Sequence, residues 1–441
     1  MDTLFTRPRL SLCMIVRDEI DCLQRSIDSV RDIVDEIVIV DTGSTDGTID
    51  LVKRYASKLA QISWKDDFSY ARNVSVDMAT GDWILQLDAD EYLRKECCFD
   101  LLRSLEKQDM LAYNLAVRNQ REGGYSEIFF PARLFRRMPT IRYFGKIHEQ
   151  VTPSLLEVMK SNPGWRSDTL QNVVIEHQGY MLGHKERKNK KSRNIRLLTR
   201  TLEEDPSDIY RRFKLAQELG AETDIGYHHL SIALEALLRL PEQEIKEKAF
   251  GHELMGNAAL RFAGRNEPQK AIQISSIAES LFSSHPVLSF VKALSHYLRK
   301  DIGSALKSAN EALAMVWPPG AFVCNPDWLR EDIYLLLSRI WQDKGEYSQA
   351  IDILRKGVGE FPGSERLVQS LIRIALVAQR PLIALNAGAR WMKSNGLDKE
   401  CLLLCAEAAE MHGEPCCAAR WRSLARGVPA SDRYTKLEKG V

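Results

Sequence analysis

The chain has 441 residues, 44% hydrophobic and 27% charged, which suits two or three folded domains and excludes wholesale disorder. Its formal net charge of +1 argues against a broad nucleic-acid or anionic-membrane footprint, leaving local patches at most. Nine cysteines include two adjacent pairs and no CxxC, so neither zinc spacing nor a disulfide framework is supported, and reduced thiols are expected.

The short apolar run from Leu10 to Val16 reads as a buried strand. It meets Arg17, Asp18 and Glu19 too soon for a signal peptide or a membrane span. No other stretch is apolar enough to cross a bilayer, so a cytoplasmic protein is expected. Asp21 to Val34 has helical spacing, with Leu23, Ile27, Val30 and Val34 on one face. Glu36 to Val40 is a second strand. It stops at Asp41-Thr42-Gly43-Ser44-Thr45-Asp46-Gly47-Thr48, which is turn and cap chemistry. Helix follows from Thr48 to Lys58, a third strand over Ile62 to Trp64, a helix from Tyr70 to Ala79, and a fourth strand from Trp83 to Leu87. This alternation predicts an α/β domain with a mostly parallel sheet, whose ligand site lies at the carboxyl ends of the strands.

That rule gives meaning to DWILQLDADEY, residues 82–92, an apolar run that ends in Asp88, Asp90 and Glu91. Carboxylates this close repel one another and persist when they are solvated or share a cation. A plain turn requires neither two spaced acids nor a third beyond them. Asp41 follows strand two as Asp88 follows strand four, so neighbouring strands would bring these acids to one crevice. Asp41 alone reads equally well as a turn former. An Asp-x-Asp at a strand end suits Mg²⁺ or Mn²⁺, which in turn binds a substrate diphosphate and stabilises a leaving phosphate.

From about Arg187 the chain turns almost entirely helical in pattern. Ala271, Ala305, Ala350, Ala384 and Ala418 recur with spacings of 34, 45, 34 and 34, the long one spanning an insertion near Trp317 to Gly320. A period of 34 is the mark of tetratricopeptide repeats. Tyr334, Leu337, Trp341, Ala350, Leu354 and Pro362 fit one such unit, and Ala278, Ala312 and Ala425 sit where close helix packing needs a small residue. Cys401, Cys405, Cys416 and Cys417 fall at repeat core phases and read as packing. The expected domains are an α/β domain over 1–185, a basic helical connector over 186–212 and helical repeats over 213–441.

The segments SLCMIVRDE, EIVIVDTGSTDGT, FSYARNVSVDMATGDWILQLDADEYL and YFGKIHEQV, in this order, resemble family 2 glycosyltransferases of the GT-A fold. FSYARN, GKIHE and His177-Gln178-Gly179-Tyr180 before helical repeats narrow the resemblance. They point to bacterial enzymes with a tetratricopeptide extension, a group that includes peptide S-glycosyltransferases. The resemblance implies metal-dependent, inverting transfer of a sugar from a nucleotide-diphosphate donor, UDP by family habit, to a peptide, protein or glycan acceptor. Arg17, Glu19 and Asp41 are then expected to line the nucleotide pocket and Arg72, beside Asn73, to bridge to sugar or diphosphate. Asp88 is expected near ribose and metal, with Asp90 and His177 as metal ligands. A buried histidine ending a strand over Val173 to Glu176 is the plain alternative for His177. Inversion needs a base for the acceptor proton. His148-Glu149 holds that position, either with Glu149 as base or with Glu149 orienting His148. An acid pair is the commoner family form, so a pair that only pins a loop is the alternative.

Arg133, Arg136 and Arg137 precede that motif, and one of them could help neutralise a diphosphate. The basic run His184 to Asn194 reads as a solvated helix face from which a lysine could reach bound phosphate. Its Arg193-Asn194 pair has no chemistry assigned. Two other classes compete. A non-catalytic repeat protein with a relic domain would usually have lost its acids, yet Asp41, Asp88, Asp90 and His177 are present. A nucleotidyltransferase would want a glycine-rich phosphate loop after strand one, where Arg17-Asp18-Glu19-Ile20 stands. The repeats would hold the acceptor, form a homodimer or dock onto a partner complex.

Overall fold

The computed structural model describes residues 7–120, 126–177, 184–316 and 326–428. The described chain forms two compact units that divide inside one helix, between Ala236 and Leu237. Gln178 to Tyr180 and Trp317 to Gly320, singled out above, lie outside the described residues.

The first unit opens β1 (Leu10–Val16), α1 (Leu23–Val30), β2 (Glu36–Asp41), α2 (Thr48–Tyr55), β3 (Lys58–Gln61), α3 (Phe68–Met78) and β4 (Trp83–Gln86). It continues with β5 (Glu91–Leu93), α4 (Cys98–Ser104), β6 (Met110–Gln120), β7 (Ser126–Phe129), β8 (Ala132–Arg136), α5 (Thr152–Ser161) and β9 (Arg166–His177). Three helices close it, α6 (His184–Glu204), α7 (Ile209–Leu219) and α8 (Asp224–Leu238).

One mixed sheet runs in the order β3-β2-β1-β4-β8-β6-β9-β5, with β7 on β6. Its first four strands are parallel. From β8 onward antiparallel pairs dominate, a half of the sheet that periodicity alone had not outlined. Strand alternation fills both faces. Leu12, Met14, Ile39, Trp83 and Leu85 pack with α1, α2 and α4 residues on one side. Cys13, Val38, Ile84 and Phe135 pack with Val76, Tyr143 and Leu155 on the other. Such double burial is why β1, β2 and β4 read as continuous apolar runs.

The third strand lies at Lys58–Gln61, not at the expected Ile62 to Trp64. Val38 to Asp41 of β2 pair with Lys58 to Gln61, which ends the ladder before the more apolar segment. Trp64 instead packs on Phe68 at 4.7 Å and donates its indole N–H to Asp66 at 2.8 Å. Helices α6 and α7 pack on the α/β layer: Leu197, Leu198, Leu202 and Leu215 share a small core with Ile147 and Phe68.

The second unit contains α9 (Glu242–Glu247) and then five hairpins: α10 (Gly251–Gly264) with α11 (Pro268–Leu281), α12 (Pro286–Leu298) with α13 (Ile302–Ala314), α14 (Pro326–Asp343) with α15 (Tyr347–Glu360), α16 (Glu365–Val377) with α17 (Pro381–Asn395), and α18 (Lys399–Met411) with α19 (Pro415–Gly427). The recurring alanines Ala271, Ala305, Ala350, Ala384 and Ala418 are all fully buried. Each hairpin turns on one residue of positive φ, at Asn266, Lys300, Gly345, Gln379 and Gly413, five residues before its phase alanine. The repeat is thus written twice, in core size and in turn geometry. Eight cysteines lie among the described residues, all free thiols; Cys401 and Cys405 are buried as expected, whereas Cys416 and Cys417, expected in the repeat core, are exposed on the first turn of α19, and no described helix is long and apolar enough to cross a membrane.

Candidate active site

Strand ends of the sheet, the loops after β1 and β2 and the loop carrying His148 and Glu149 build the site. Val16 pairs with Asp41 and Cys13 with Gln86, so β1, β2 and β4 end side by side. The loops after β1 and β2 are cross-tied. Asp18 Oδ1 accepts from the Thr45 amide at 2.6 Å, the Glu19 amide donates to Thr48 Oγ1 at 2.9 Å, and the Ile20 amide donates to Asp46 Oδ2 at 3.1 Å. Those bonds explain why the first loop carries an acid and the second is rich in Ser, Thr and Asp.

Asp41 is 1% exposed. Its Oδ1 closes the turn by accepting from the Gly43 and Ser44 amides at 2.9 and 3.1 Å. Its Oδ2 is buried and accepts nothing among the described residues. Asp41 is therefore both the turn former and a buried acceptor that calls for a donor from outside the chain, such as a base N–H or a ribose hydroxyl.

Asp88 is the hub. Its Oδ1 accepts from Arg72 Nη2 at 2.7 Å and its Oδ2 from Arg133 Nη2 at 3.1 Å. Arg72 also donates its Nε to Glu149 Oε1 at 2.5 Å, and Arg133 donates to Glu91 Oε1 at 2.6 Å. Burial alone would raise the Asp88 carboxyl, but the two guanidiniums outweigh it and hold the group well below the usual carboxylate range. Glu91 is shifted the other way, by burial first and by the Asp88 charge, against the pull of Arg133. Glu149, Arg72, Asp88, Arg133 and Glu91 thus form one buried chain of alternating sign. Of the three arginines ahead of the GKIHE motif only Arg133 reaches it. Arg136 donates to the Met110 carbonyl and Arg137 to the Gly81 carbonyl, holding backbone.

Asp90 and His177 form a second pair, joined because Glu91 of β5 stands opposite His177 of β9. Asp90 Oδ2 lies 3.2 Å from His177 Nε2, and His177 Nδ1 lies 2.6 Å from Asn119 Oδ1. Burial pulls the imidazole down, but the Asp90 carboxylate outweighs it and the net shift is upward. With Nδ1–H given to Asn119, the protonated Nε2 donates to Asp90; a cation shared with Asp90 would take the place of that proton, with Asn119 holding the ring in orientation. One carboxylate and one imidazole suit a divalent cation that draws its other ligands from water and a diphosphate. Among the described residues no group of three or more His, Cys, Asp or Glu is arranged to hold a metal alone.

Glu19 joins the Asp90 side. Cys22 Sγ donates to its Oε2 at 3.1 Å, and burial, with the charges of Asp90 and Asp88, raises its carboxyl. Arg17 is exposed, and its one ion pair among the described residues is a long contact to Asp18 at 4.0 Å.

The loop carrying His148 and Glu149 is fixed from three sides. Phe144 and Gln150 exchange backbone hydrogen bonds at 2.9 and 3.0 Å. Asn73 accepts from the Tyr143 amide at 2.8 Å and donates to its carbonyl at 2.9 Å, while the Phe68 amide donates to the Lys146 carbonyl at 2.9 Å. The FSYARN and GKIHE motifs are therefore two halves of one contact. Gly145 has φ +98°, and a Cβ there would run into the Arg211 guanidinium. His148 itself has φ +49°. Its imidazole is pushed down to about 3 by burial and by Lys214, Arg211 and Arg193, and no hydrogen bond joins it to Glu149. Of the sequence-selected residues, the structure groups Arg72, Asp88 and Glu149 as one network and Asp90 with His177 as another, leaving His148 apart.

Sequence reasoning missed Asn119 and Tyr143. Tyr143 lies in the quoted YFGKIHEQV segment, its hydroxyl buried near Arg72. Asn119 carries no local signal, since only the pairing of β6 with β9 brings it to His177.

The family description "Glycosyl transferase family 2" matches residues 11–156. A TPR repeat-containing protein of Synechococcus elongatus is 35% identical over 314 residues, 69% of this chain and 75% of that protein. The SPbeta prophage-derived glycosyltransferase SunS of Bacillus subtilis is 28% identical over 215 residues, 48% of this chain and 49% of its own. An uncharacterized glycosyltransferase of Rickettsia felis is 32% identical over 112 residues, 25% of this chain and 36% of its own. The chain belongs to glycosyl transferase family 2, as a glycosyltransferase whose α/β domain is followed by tetratricopeptide repeats.

Proposed function

We propose that this glycosyltransferase moves a sugar from a nucleotide diphosphate, UDP by preference, to a peptide, protein or glycan acceptor with inversion. The observation that carries the reading is the ionised Asp88 at the end of β4, joined through Arg72 to Glu149 and adjoining the Asp90–His177 pair. Asp41, with its unfilled buried oxygen, takes the base or ribose beside Arg17 and Glu19. Asp90 and His177 hold Mn²⁺ or Mg²⁺, which when bound supplies Lewis-acid stabilisation of the leaving phosphate. Arg72 and Arg133 hold Asp88 charged and fixed, so the strand end does not reorganise as charge moves.

Glu149 is the base for the acceptor proton. One oxygen is taken by Arg72, and Oε2 accepts no hydrogen bond among the described residues. His148 makes no hydrogen bond to Glu149, so the arrangement in which Glu149 orients His148 as the base is not formed, and Glu149 is preferred. The repeats hold the acceptor, and the reduced thiols suit the cytoplasm.

Release of UDP from a panel of UDP-sugars, with Mn²⁺ and with EDTA, tests the reading. Metal-dependent release, absent in Asp90→Ala, is the expected result. Equal release by Asp90→Ala would refute the assignment.

A further inference from the structure

Helix α1 sets two serines against the strand beyond it. Leu23, Ile27 and Val30 pack into the core, and Ser26 is buried among them. Ser26 Oγ donates to the Asp88 carbonyl at 3.3 Å, and Ser29 Oγ accepts from the Leu93 amide at 3.0 Å. These bonds tie α1 to both ends of the segment that runs from the DAD turn through β5. Toward solvent the same two elements part to form a cleft of about 740 Å³. A recess of about 130 Å³, lined by Asp90 and Glu91, adjoins it. Asp21, Arg25 and Tyr92 line both, so the cleft runs on to the metal pair. Its size is that of small-ligand sites, roughly 300–1,000 Å³. No residue given a role in transfer lines it.

The walls are polar and electrically balanced. Helix α1 supplies Asp21, Gln24, Arg25 and Asp28. The chain from β5 onward supplies Tyr92, Arg94, Lys95 and Glu96. Three acids and three bases thus share one concave surface. Two of the six are committed, Asp28 to Arg31 at 3.3 Å and Arg94 to the buried Glu176 at 2.7 Å. Asp21, Gln24 and Lys95 make no side-chain hydrogen bond or ion pair among the described residues. Arg25 makes only a ring contact, its Cζ 3.8 Å from the Tyr92 centroid. That contact lays the guanidinium flat on an aromatic ring and leaves its N–H edge open to a ligand.

This lining selects a ligand class. A phosphate chain would meet three carboxylates and a basic peptide three cations, so high charge of either sign gains little. An apolar ligand would desolvate the free polar groups without replacing their hydrogen bonds. A neutral polyhydroxy ligand suits all of them, because each hydroxyl both donates and accepts. Neighbouring hydroxyls accept from Arg25 and Gln24 and donate to Asp21, while Tyr92 offers apolar surface to a C–H face.

We propose that this cleft is a saccharide subsite, which holds a neutral sugar unit of a glycan acceptor beside the reaction centre. The proposal rests on the sugar-transfer reading above and narrows its acceptor to a glycan chain. The subsite anchors the chain and takes no part in bond making, so it acts on acceptor affinity and not on donor binding. Ser26 and Ser29 hold its walls to the DAD turn, which limits the ordering cost of binding.

The test is saturation-transfer NMR and calorimetric titration of the full chain with neutral malto-, cello-, manno- and chito-oligosaccharides, with UDP titrated separately in Mn²⁺. Wild type, Arg25→Ala, Arg25→Lys and Gln24→Ala are compared. Wild type is expected to bind at least one saccharide series without nucleotide or metal. Arg25→Ala should weaken that binding about 10-fold and Gln24→Ala about 3-fold, while UDP affinity changes by less than about 2-fold. Arg25→Lys should recover little, because charge returns without the planar fork. The substituted side chains are exposed, so thermal midpoints should match wild type. Two results overturn the proposal: no saccharide of the four series binds wild type, or the one that binds is indifferent to every variant. Pyrophosphate or trilysine binding that is lost in Arg25→Ala, in place of saccharide binding, would overturn it in favour of a charged ligand. Saccharide binding absent with UDP binding intact removes the subsite alone. Wild type that binds neither UDP nor any UDP-sugar refutes the sugar-transfer reading itself, whatever the saccharides do.

Discussion

The two compact units bury different things. The α/β unit buries charge: Arg72, Arg133 and Glu91 are nearly inaccessible, and their partners lie at one strand end. The repeat unit buries alanine, leucine and cysteine and leaves pairs such as Arg366–Asp332 and Arg373–Glu400 at its surface. Desolvating a guanidinium and a carboxylate is expensive and does not by itself stabilise a fold. A unit that does so repeatedly at one place is spending stability on chemistry, whereas surface pairs contribute almost nothing either way. Single buried acids occur elsewhere, Glu36 and Glu176 in the α/β unit and Glu331 in the repeats, but the linked network of Arg72, Asp88, Arg133, Glu91 and Glu149 gathers at the end of β4.

Four kinds of substitution would break or sharpen that contrast. The largest effect is on rate. Asp90→Ala should lower turnover by about 1000-fold or more, and Glu149→Gln by about 100- to 1000-fold with nucleotide binding kept. Near-normal turnover in Glu149→Gln would return the GKIHE loop to a purely structural role. Next is the buried network. Arg133→Met strands Glu91, which is 2% exposed, and should cost about 3 kcal/mol in denaturant unfolding. The double variant Arg133→Met/Glu91→Leu should recover most of that stability and none of the activity. Additive losses in the double variant would mean that the pair is not the unit of energy.

In the repeats the sensitive feature is space. A Cβ on Gly388 would strike Cys405 Sγ and come within 3.2 Å of Ile372 Cδ1, so Gly388→Ala should cost about 1–3 kcal/mol without changing UDP affinity. Arg373→Ala removes an exposed pair with Glu400 and should cost less than about 1 kcal/mol. A cost as large as that of Arg133→Met would erase the contrast.

The smallest effect is on pH dependence. Burial pushes His252 down to about 4 and His285 down to about 3. His285 Nδ1 accepts from the Val287 amide at 3.1 Å and caps α12 in its neutral form. A histidine with a depressed folded pKa takes its proton first in the unfolded chain. Its contribution is full above about pH 6.5 and shrinks as pH falls toward the folded value. His285→Asn keeps a cap acceptor and should flatten the fall in thermal midpoint between pH 7 and 5.

Much of this was legible in the sequence, for particular reasons. DWILQLDADEY gave away its position because a doubly buried strand can end in acids only where something meets them. The alanine period was legible because close helix contacts exclude any larger side chain. The hairpin turns were not, since Asn266, Lys300 and Gln379 adopt positive φ without being glycine. The third strand was misplaced because its ladder is set by β2 and not by its own hydrophobicity. The antiparallel half of the sheet depends on long-range pairing, and so do Asn119 and the bond from Arg72 to Glu149, 77 residues apart. Motifs revealed that FSYARN and GKIHE matter; only the fold shows that Asn73 and Tyr143 bind them together.

The central claim is that the acids closing β4 exist to hold a cation and a sugar-nucleotide diphosphate. Calorimetric titration of wild type and Asp90→Ala with UDP and UDP-sugars, in Mn²⁺ and in EDTA, tests it most directly. The account predicts binding that needs the metal and disappears in Asp90→Ala while the unfolding midpoint is unchanged. Equal binding by the variant, or by wild type in EDTA, would contradict it.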